Sequence, residues 1–346
     1  MSAVLPVSVV IPGYNAAAYL AAALESVGAQ TQAPREVIFV DDGSSDGSGS
    51  IAERWGARVI VQRNAGVAAA RNAGVRAATS DWIAFLDADD RFEPHRLATQ
   101  WALGHRNPRV RLLASDYRRF EGDAGPGEPV LAGLAAYRGL RRAALEGGSL
   151  VTRAELLGAL LERNFMLPSS WLVERSLFER DGVWFLEREL MPPGDDFFIG
   201  EDYEWLLRAL LHTDVIFAEE PLVAYRRSAA SLSANVGRSR YGDAKLGDLV
   251  RAAPERYGSG AAQGFARVRP RQLREAAFAF LAAGDVRSAR RRLREALGTH
   301  LDPASLALLA GSAPFALPGG DVSYRAVLAV WRSCVRPLVR AVRKFG

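Results

Sequence analysis

Three short apolar runs near the start of the chain each stop abruptly in a polar cluster, and a stretch of helical periodicity follows each one. The runs are Val7-Ser8-Val9-Val10-Ile11, Glu36-Val37-Ile38-Phe39-Val40 and Arg58-Val59-Ile60-Val61, rich in residues that favour strands. The helical patterns cover 16–29, 48–55 and 66–78. Strands alternating with helices predict a parallel sheet with right-handed crossovers. Every strand then ends on the same side. The polar clusters at Pro12-Gly13-Tyr14-Asn15, at 41–46 and at 62–66 therefore converge on one edge, the edge where open α/β sheets bind ligands.

A fourth run, Ile83-Ala84-Phe85-Leu86, ends in Asp87-Ala88-Asp89-Asp90. Clustered carboxylates at that edge suit a hard cation such as Mg2+ or Mn2+, which commonly shares its ligand shell with substrate phosphates. Taken alone, the same acids read equally well as a solvated loop. In the second half, Glu201-Asp202 opens the apolar periodicity of Tyr203 to Leu211, which reads as a helix. Acidic residues at such a start complement the helix dipole and can be no more than that.

Several segments together resemble the inverting glycosyltransferases of family 2. They are Val-Ser-Val-Val-Ile-Pro-Gly-Tyr-Asn (7–15), Val-Asp-Asp-Gly-Ser-Ser-Asp (40–46), Arg63-Asn64-Ala65-Gly66 leading to Ala70-Arg71-Asn72, Phe85-Leu86-Asp87-Ala88-Asp89-Asp90, and Gly200-Glu201-Asp202-Tyr203-Glu204-Trp205. The resemblance covers roughly 5–236 and implies the GT-A fold: a Rossmann-like, mostly parallel sheet flanked by helices. A GT-A catalytic domain is expected over 1–236, with its nucleotide-binding half at 1–120 and its acceptor half at 121–236. A helical appendage is expected over 237–346.

The resemblance also implies roles. Asp202 would be the catalytic base, with Glu201 orienting it. Asp89 would be the first metal ligand, with Asp87 on the ribose or a metal-bound water. The loop carrying Pro12, Tyr14 and Asn15 would pack on the nucleotide base, which Asp42 would read. Asn64 would shape the start of the helix that carries Arg71, and Arg71 would reach the diphosphate or base. The implied cofactor is Mg2+ or Mn2+, the implied donor a nucleoside-diphosphate sugar (UDP-sugar favoured), and the acceptor a glycan or glycolipid hydroxyl. The chain departs from the family in one place: Ser228 stands after Tyr225-Arg226-Arg227 where a histidine is usual. Arg226 or Arg227 is then expected to neutralise the diphosphate.

Other classes are less compatible with the sequence. Lys245 and Lys344 are the only lysines, so no P-loop Gly-Lys-Ser/Thr is present, and no Gly-x-Gly-x-x-Gly follows the first strand. A sugar-nucleotide nucleotidyltransferase would need a glycine-rich basic loop there, and a catalytically weakened nucleotide-sugar binder is the other alternative. The single cysteine, Cys334, fits a reducing compartment. No secretory leader and no spanning segment is apparent, which points to the cytoplasm. Net charge is +5, and nucleic acid is not an expected partner.

Several further readings concern the second half. Residues 122–129 read as a loop, 137–165 as helical and 191–198 as a mobile acceptor-side loop. Residues 271–283 and 286–297 read as a helical hairpin. The segment 323–346 combines an arginine stripe with an apolar face, which reads either as a helix packed on the catalytic domain or as a peripheral contact with the inner face of the membrane.

Overall fold

The first apolar run, longer than expected by two residues at each end, is the central strand β1 (Leu5–Gly13) of the computed structural model. Residues 4–122, 125, 127–187, 200–227 and 235–299 are described by the structure. After β1 come α1 (Ala17–Gly28), β2 (Pro34–Asp41), α2 (Ser48–Trp55), β3 (Arg58–Val61), α3 (Val67–Ala77) and β4 (Trp82–Phe85). The alternation is that read from the sequence. Val9, Val10, Ile11, Ile38, Phe39, Val40, Ile83, Ala84 and Phe85 are fully buried, as in strands covered on both faces. Helix α3 lies so close to the sheet that a Cβ on Gly74 would meet Val10 Cγ1 at 2.3 Å.

The chain continues through β5 (Arg91–Phe92), α4 (Arg96–Arg106), β6 (Leu112–Phe120), α5 (Ala135–Arg138), β7 (Ala143–Leu145) and β8 (Gly148–Val151). It then forms α6 (Arg153–Leu160), β9 (Leu172–Glu174), α7 (Ser176–Glu179), α8 (Glu201–Ala209) and the long β10 (Val215–Arg226). Among the described residues one sheet runs β3-β2-β1-β4-β9-β6-β10-β8-β7, with β5 paired to β10. It is parallel over its first four strands and again at β6–β10, its longest pairing, while β9 sits antiparallel between β4 and β6. This is a mixed α/β fold with a mostly parallel centre flanked by helices.

The expectation of continuous helix over 137–165 is wrong. Two short helices flank a hairpin, β7–β8, whose turn places Gly147 at φ 79°. Strand β8 pairs antiparallel with β10, and a Cβ on Gly148 would stand 2.8 Å from the Phe217 carbonyl oxygen. Short apolar runs do not separate helix from strand by periodicity, and here an open sheet edge decides.

The described residues divide into two compact units: 4–187 with 201–227, and 235–299. The second is helical: α9 (Val236–Ala252), α10 (Pro254–Tyr257), α11 (Ser259–Ala282) and α12 (Val286–Thr299). The expected hairpin is present as α11 and α12, but α11 starts twelve residues earlier and passes through Pro270. Interior proline costs a helix about 3 kcal/mol. Packing on both sides of Pro270 offsets that: Phe265 and Leu273 are fully buried, and Arg269 bonds both Asp248 carboxylate oxygens (2.5 and 3.0 Å).

Candidate active site

The loops after β1 and β2 are tied together by their own side chains. Asn15 adopts φ 50°, a conformation asparagine tolerates, and its Oδ1 accepts the Ser45 N–H at 2.9 Å. The Asn15 N–H donates to Ser44 Oγ, and Ala17 N–H to Asp46. Asp41 holds the same turn by accepting the Ser44 N–H at 2.7 Å. Pro12 closes β1 opposite Val40. Tyr14, beyond it, is 55% exposed, a free aromatic face at the rim.

Asp42 is buried, and its carboxylate accepts from Gln62 Nε2 (2.7 Å), Ala65 N–H (2.9 Å) and Gly66 N–H (2.8 Å). Three donors on one carboxylate fix the loop that leads into α3. Gly66 caps α3 at φ 93°, and exposed Asn64 lies in the same loop, its N–H close against Gly43.

That loop sets the position of Arg71. A surface arginine among alanines would ordinarily be solvated, but Arg71 is 2% exposed. It donates from Nη2 to Asp87 (2.7 Å) and from Nη1 to Glu201 (2.6 Å). Burial alone would push the guanidinium down, yet Asp87, Glu201 and Asp202 together hold it above the usual arginine range. The strand end of the first half and the start of α8 thus share one cation.

Asp202 stands beside this pair. Burial first, then the charges of Glu201 and Asp87, push its carboxyl up to about 7, against the opposing pull of Arg71 and the Tyr203 N–H. The sequence marked Glu201-Asp202 as possible dipole complement. The folded protein gives the two acids different surroundings: Glu201 takes the guanidinium, and Asp202 is held near half-protonation at neutral pH.

At the β4 end, burial and the neighbouring Asp87 push Asp89 up to about 6. Asp90 is fully enclosed, and burial with the charges of Asp87 and Asp89 holds it well above the usual carboxylate range. It accepts from Ser169 Oγ (2.6 Å) and from the Arg226 N–H (3.0 Å), so it supports the loop. Arg226 is buried, its guanidinium lying over the rings of Tyr19 (4.6 Å) and Phe120 (4.4 Å) while Nε donates to the Asp89 carbonyl (3.1 Å). Arg227 is turned to Glu121 at 3.9 Å on the surface, away from the acidic group. Ser228 and the loop 191–198 lie outside the described residues.

No group of three or more potential metal ligands occurs among the described residues. Asp87 and Asp89 nonetheless fit a divalent cation. Burial and then the charge of Asp87 raise Asp89, a cation would offset that charge, and Mg2+ commonly takes only one or two carboxylates and completes its shell with phosphate and water.

Sequence reasoning did not identify Ser169, which donates to Asp90 and accepts the Asp87 N–H at 3.0 Å. It also missed Asn72, whose amide pairs with both the N–H and the carbonyl of Phe185. Neither has a local signal. Their partners are 79 to 113 positions away.

Residues 8–141 match the glycosyl transferase family 2 model. An uncharacterised glycosyltransferase of Nostoc sp. is 43% identical over 99 residues, 27% of this chain and 31% of that protein. The uncharacterised glycosyltransferase EpsJ of Bacillus subtilis is 28% identical over 242 residues, 66% of this chain and 62% of that one. The chain thus spans about a third to two thirds of the length of these relatives. Among solved structures, S. aureus TarS 1–349 in complex with UDP-GlcNAc superposes with a TM-score of 0.60 at 17% identity, covering 96% of this chain and 92% of that one. A mannosyltransferase from Pyrobaculum calidifontis in complex with GDP-Man and Mn2+ gives a TM-score of 0.51 at 20% identity, covering 99% and 89%. At these identities the structural likeness speaks for the fold. The sheet, the motif-bearing loops and the match over 8–141 together make this part of the chain similar to glycosyl transferase family 2.

Proposed function

We propose that the chain is an inverting glycosyltransferase that moves a sugar from a nucleoside-diphosphate sugar, with UDP-sugars favoured, to a hydroxyl of a glycan or glycolipid. The observation that carries this reading is the position of Asp202. Its carboxyl, pushed up to about 7, adjoins an Arg71 that also binds Asp87 of the donor-side strand end. A general base works best when its pKa lies near the operating pH.

In this reading Asp202 takes the proton of the acceptor hydroxyl as its oxygen attacks the anomeric carbon. Attack from the face opposite the leaving group inverts the configuration in one displacement. Glu201, fixed by Arg71, keeps the start of α8 in place, and the Arg71 charge limits how far Asp202 is driven toward the neutral acid. The base is received against Tyr14, on the loop built by Pro12, Asn15 and Asp42. Arg226, and Arg227 after a side-chain rotation, serve the diphosphate. Asp89 and Asp87 would hold Mg2+ or Mn2+, which offsets the negative charge of the departing nucleoside diphosphate.

Proteins of this fold have been solved with UDP-GlcNAc and with GDP-Man and Mn2+, so both base classes belong in the test. A panel of UDP-, GDP- and dTDP-sugars is assayed with Mg2+ or Mn2+ for hydrolysis and for protection from melting. Metal-dependent turnover of one donor supports the proposal. Protection without turnover by any donor, with a full acceptor set supplied, would favour a binding protein instead. Both readings of 323–346, packed helix and membrane contact, fall outside the described residues. No helix among the described residues is long and apolar enough to cross a membrane.

A further inference from the structure

Charge is divided unevenly along the chain. Residues 1–234 carry 24 arginines and lysines against 31 aspartates and glutamates, whereas 235–299 carry 14 against 6. Such asymmetry points to an anionic partner for the basic part. Helix α12 concentrates it, with Arg287, Arg290, Arg291, Arg292 and Arg294 against the single carboxylate of Glu295. At 3.6 residues per turn, Arg287, Arg290, Arg291 and Arg294 fall within an arc of about 100°. On the opposite side Ala289, Leu293 and Ala296 are fully buried in the core of this unit. The apolar face of α12 is already in use, whereas Arg287, Arg290 and Arg294 on the other side have no ion pair among the described residues.

The nearby carboxylates are engaged elsewhere. Glu295 turns inward and accepts from Tyr241 Oη, Lys245 Nζ and Arg269 Nη2, each at 3.0 Å, and from Arg292 Nη1 at 3.2 Å. Arg292 alone of the five arginines is turned into the core, stacked 3.7 Å over the Tyr241 ring. Asp285 is used at the helix start, where it accepts the Ser288 N–H at 3.0 Å. Among the described residues no carboxylate pairs with Arg287, Arg290 or Arg294. The described residues supply no neutralising carboxylate for these three arginines.

We propose that the arginine face of α12 is a docking surface for an anionic phospholipid bilayer. Guanidinium groups bind phosphate oxygens in a fork, and Arg287, Arg290 and Arg294, within an arc of about 60°, present them together toward one plane of headgroups. The sequence beyond the helix favours a bilayer over a nucleic acid. Residues 325–344 add Arg325, Arg332, Arg336, Arg340, Arg343 and Lys344 interleaved with Val327, Leu328, Trp331, Val335 and Leu338. A bilayer interface accepts both kinds of side chain, whereas a phosphodiester backbone has no use for the apolar ones. The inference does not depend on which sugar is transferred, or on whether one is.

The test uses the full chain and vesicles of phosphatidylcholine, alone or with phosphatidylglycerol, in a flotation assay at low and high salt. The protein should float with the phosphatidylglycerol vesicles only, and less at high salt. The triple variant R287Q/R290Q/R294Q should bind them about a hundredfold more weakly, from about 1 kcal/mol per arginine near an anionic surface. Its melting by circular dichroism should match the parent. If it does not, R287E keeps the test readable, because an acidic residue in the first helical turn favours the helix, and about tenfold weaker binding is then expected. Unchanged binding by either variant overturns the proposal, and so does equal binding to phosphatidylcholine alone. Complete release by a nucleic-acid oligomer at matched phosphate overturns it as well, since the surface would then be a generic polyanion site.

Discussion

Arg71 and Glu201 are 130 positions apart in the chain and 2.6 Å apart in the folded protein. The same guanidinium reaches Asp87 at 2.7 Å. One buried cation therefore couples the acidic end of β4 to the helix that carries the candidate base. Its Nε finds no hydrogen-bond acceptor among the described residues, so its side-chain hydrogen bonds go to these two carboxylates, with the charge of Asp202 adding to them.

Removing that cation should be costly. Arg71→Met keeps length and burial but leaves Asp87 and Glu201 facing each other without a counter-charge. Breaking a buried pair from one side costs about 3–5 kcal/mol, which urea unfolding would measure directly. Arg71→Lys should recover only part of it, because an ammonium cannot present the fork that serves both partners. Full stability in the methionine variant would mean the two acids are solvated or protonated in the folded protein.

Asp202→Asn preserves size and removes the proton acceptor. Turnover should fall by about 10²–10⁴, the usual contribution of a general base, while nucleotide affinity by calorimetry stays near that of the parent. A variant that keeps most of its transfer rate would hand the role to Glu201 or another carboxylate.

The pH dependence has a definite sign. Asp202 is raised from the usual value of 3.8 to about 7, so the folded protein holds this proton more tightly than the unfolded chain. Its contribution to stability is complete below about pH 4 and is lost as pH rises through 7. Asp89, raised to about 6, and Asp90 act in the same direction in the metal-free protein. Metal-free protein should thus melt at a higher temperature at pH 5 than at pH 8, and Asp202→Asn should narrow that difference. Turnover should rise through the same window, as the base is freed. A wild-type melting temperature that climbs from pH 5 to pH 8 would contradict the assignment.

Asp89→Asn tests the metal. Even the loss of a supporting partner costs a metal site about 10–100-fold in affinity, so loss of a ligand should cost at least as much. Titration of UDP with and without Mn2+ should show the metal enhancement disappearing in the variant while its melting curve remains cooperative. Retention of that enhancement would move the metal to other groups.

Ser169→Ala should be milder and more informative about support. It removes the donor to Asp90 and the acceptor for the Asp87 N–H, leaving buried polar groups unsatisfied at about 1–3 kcal/mol. Because these bonds hold the loop between the two acids, metal-dependent nucleotide binding should weaken along with stability. A stability loss with binding untouched would confine Ser169 to packing.

Much of the first half follows from the sequence itself. Strand residues such as Val9 and Phe39 and the helices between them are dictated by local period. Right-handed crossovers then send every strand end to one edge, so the nearness of Asp42, Arg71, Asp87 and Asp89 is implied before any coordinates exist. Individual roles are another matter. Arg71 reads locally as a solvated surface arginine and is in fact an internal counter-ion. Asp202 and Glu201 are neighbours of the same chemical type, yet one is paired and the other raised. The hairpin at 143–151 exists only because β10 offers it an edge. α12 shows both levels at once: the arginine count is in the sequence, while the inward turn of Glu295, which leaves Arg287, Arg290 and Arg294 without a carboxylate among the described residues, is tertiary. The physical reason is common to all four. Period and propensity act over a few residues, whereas burial, ion pairing and strand pairing depend on partners that chain distance hides and only packing brings together.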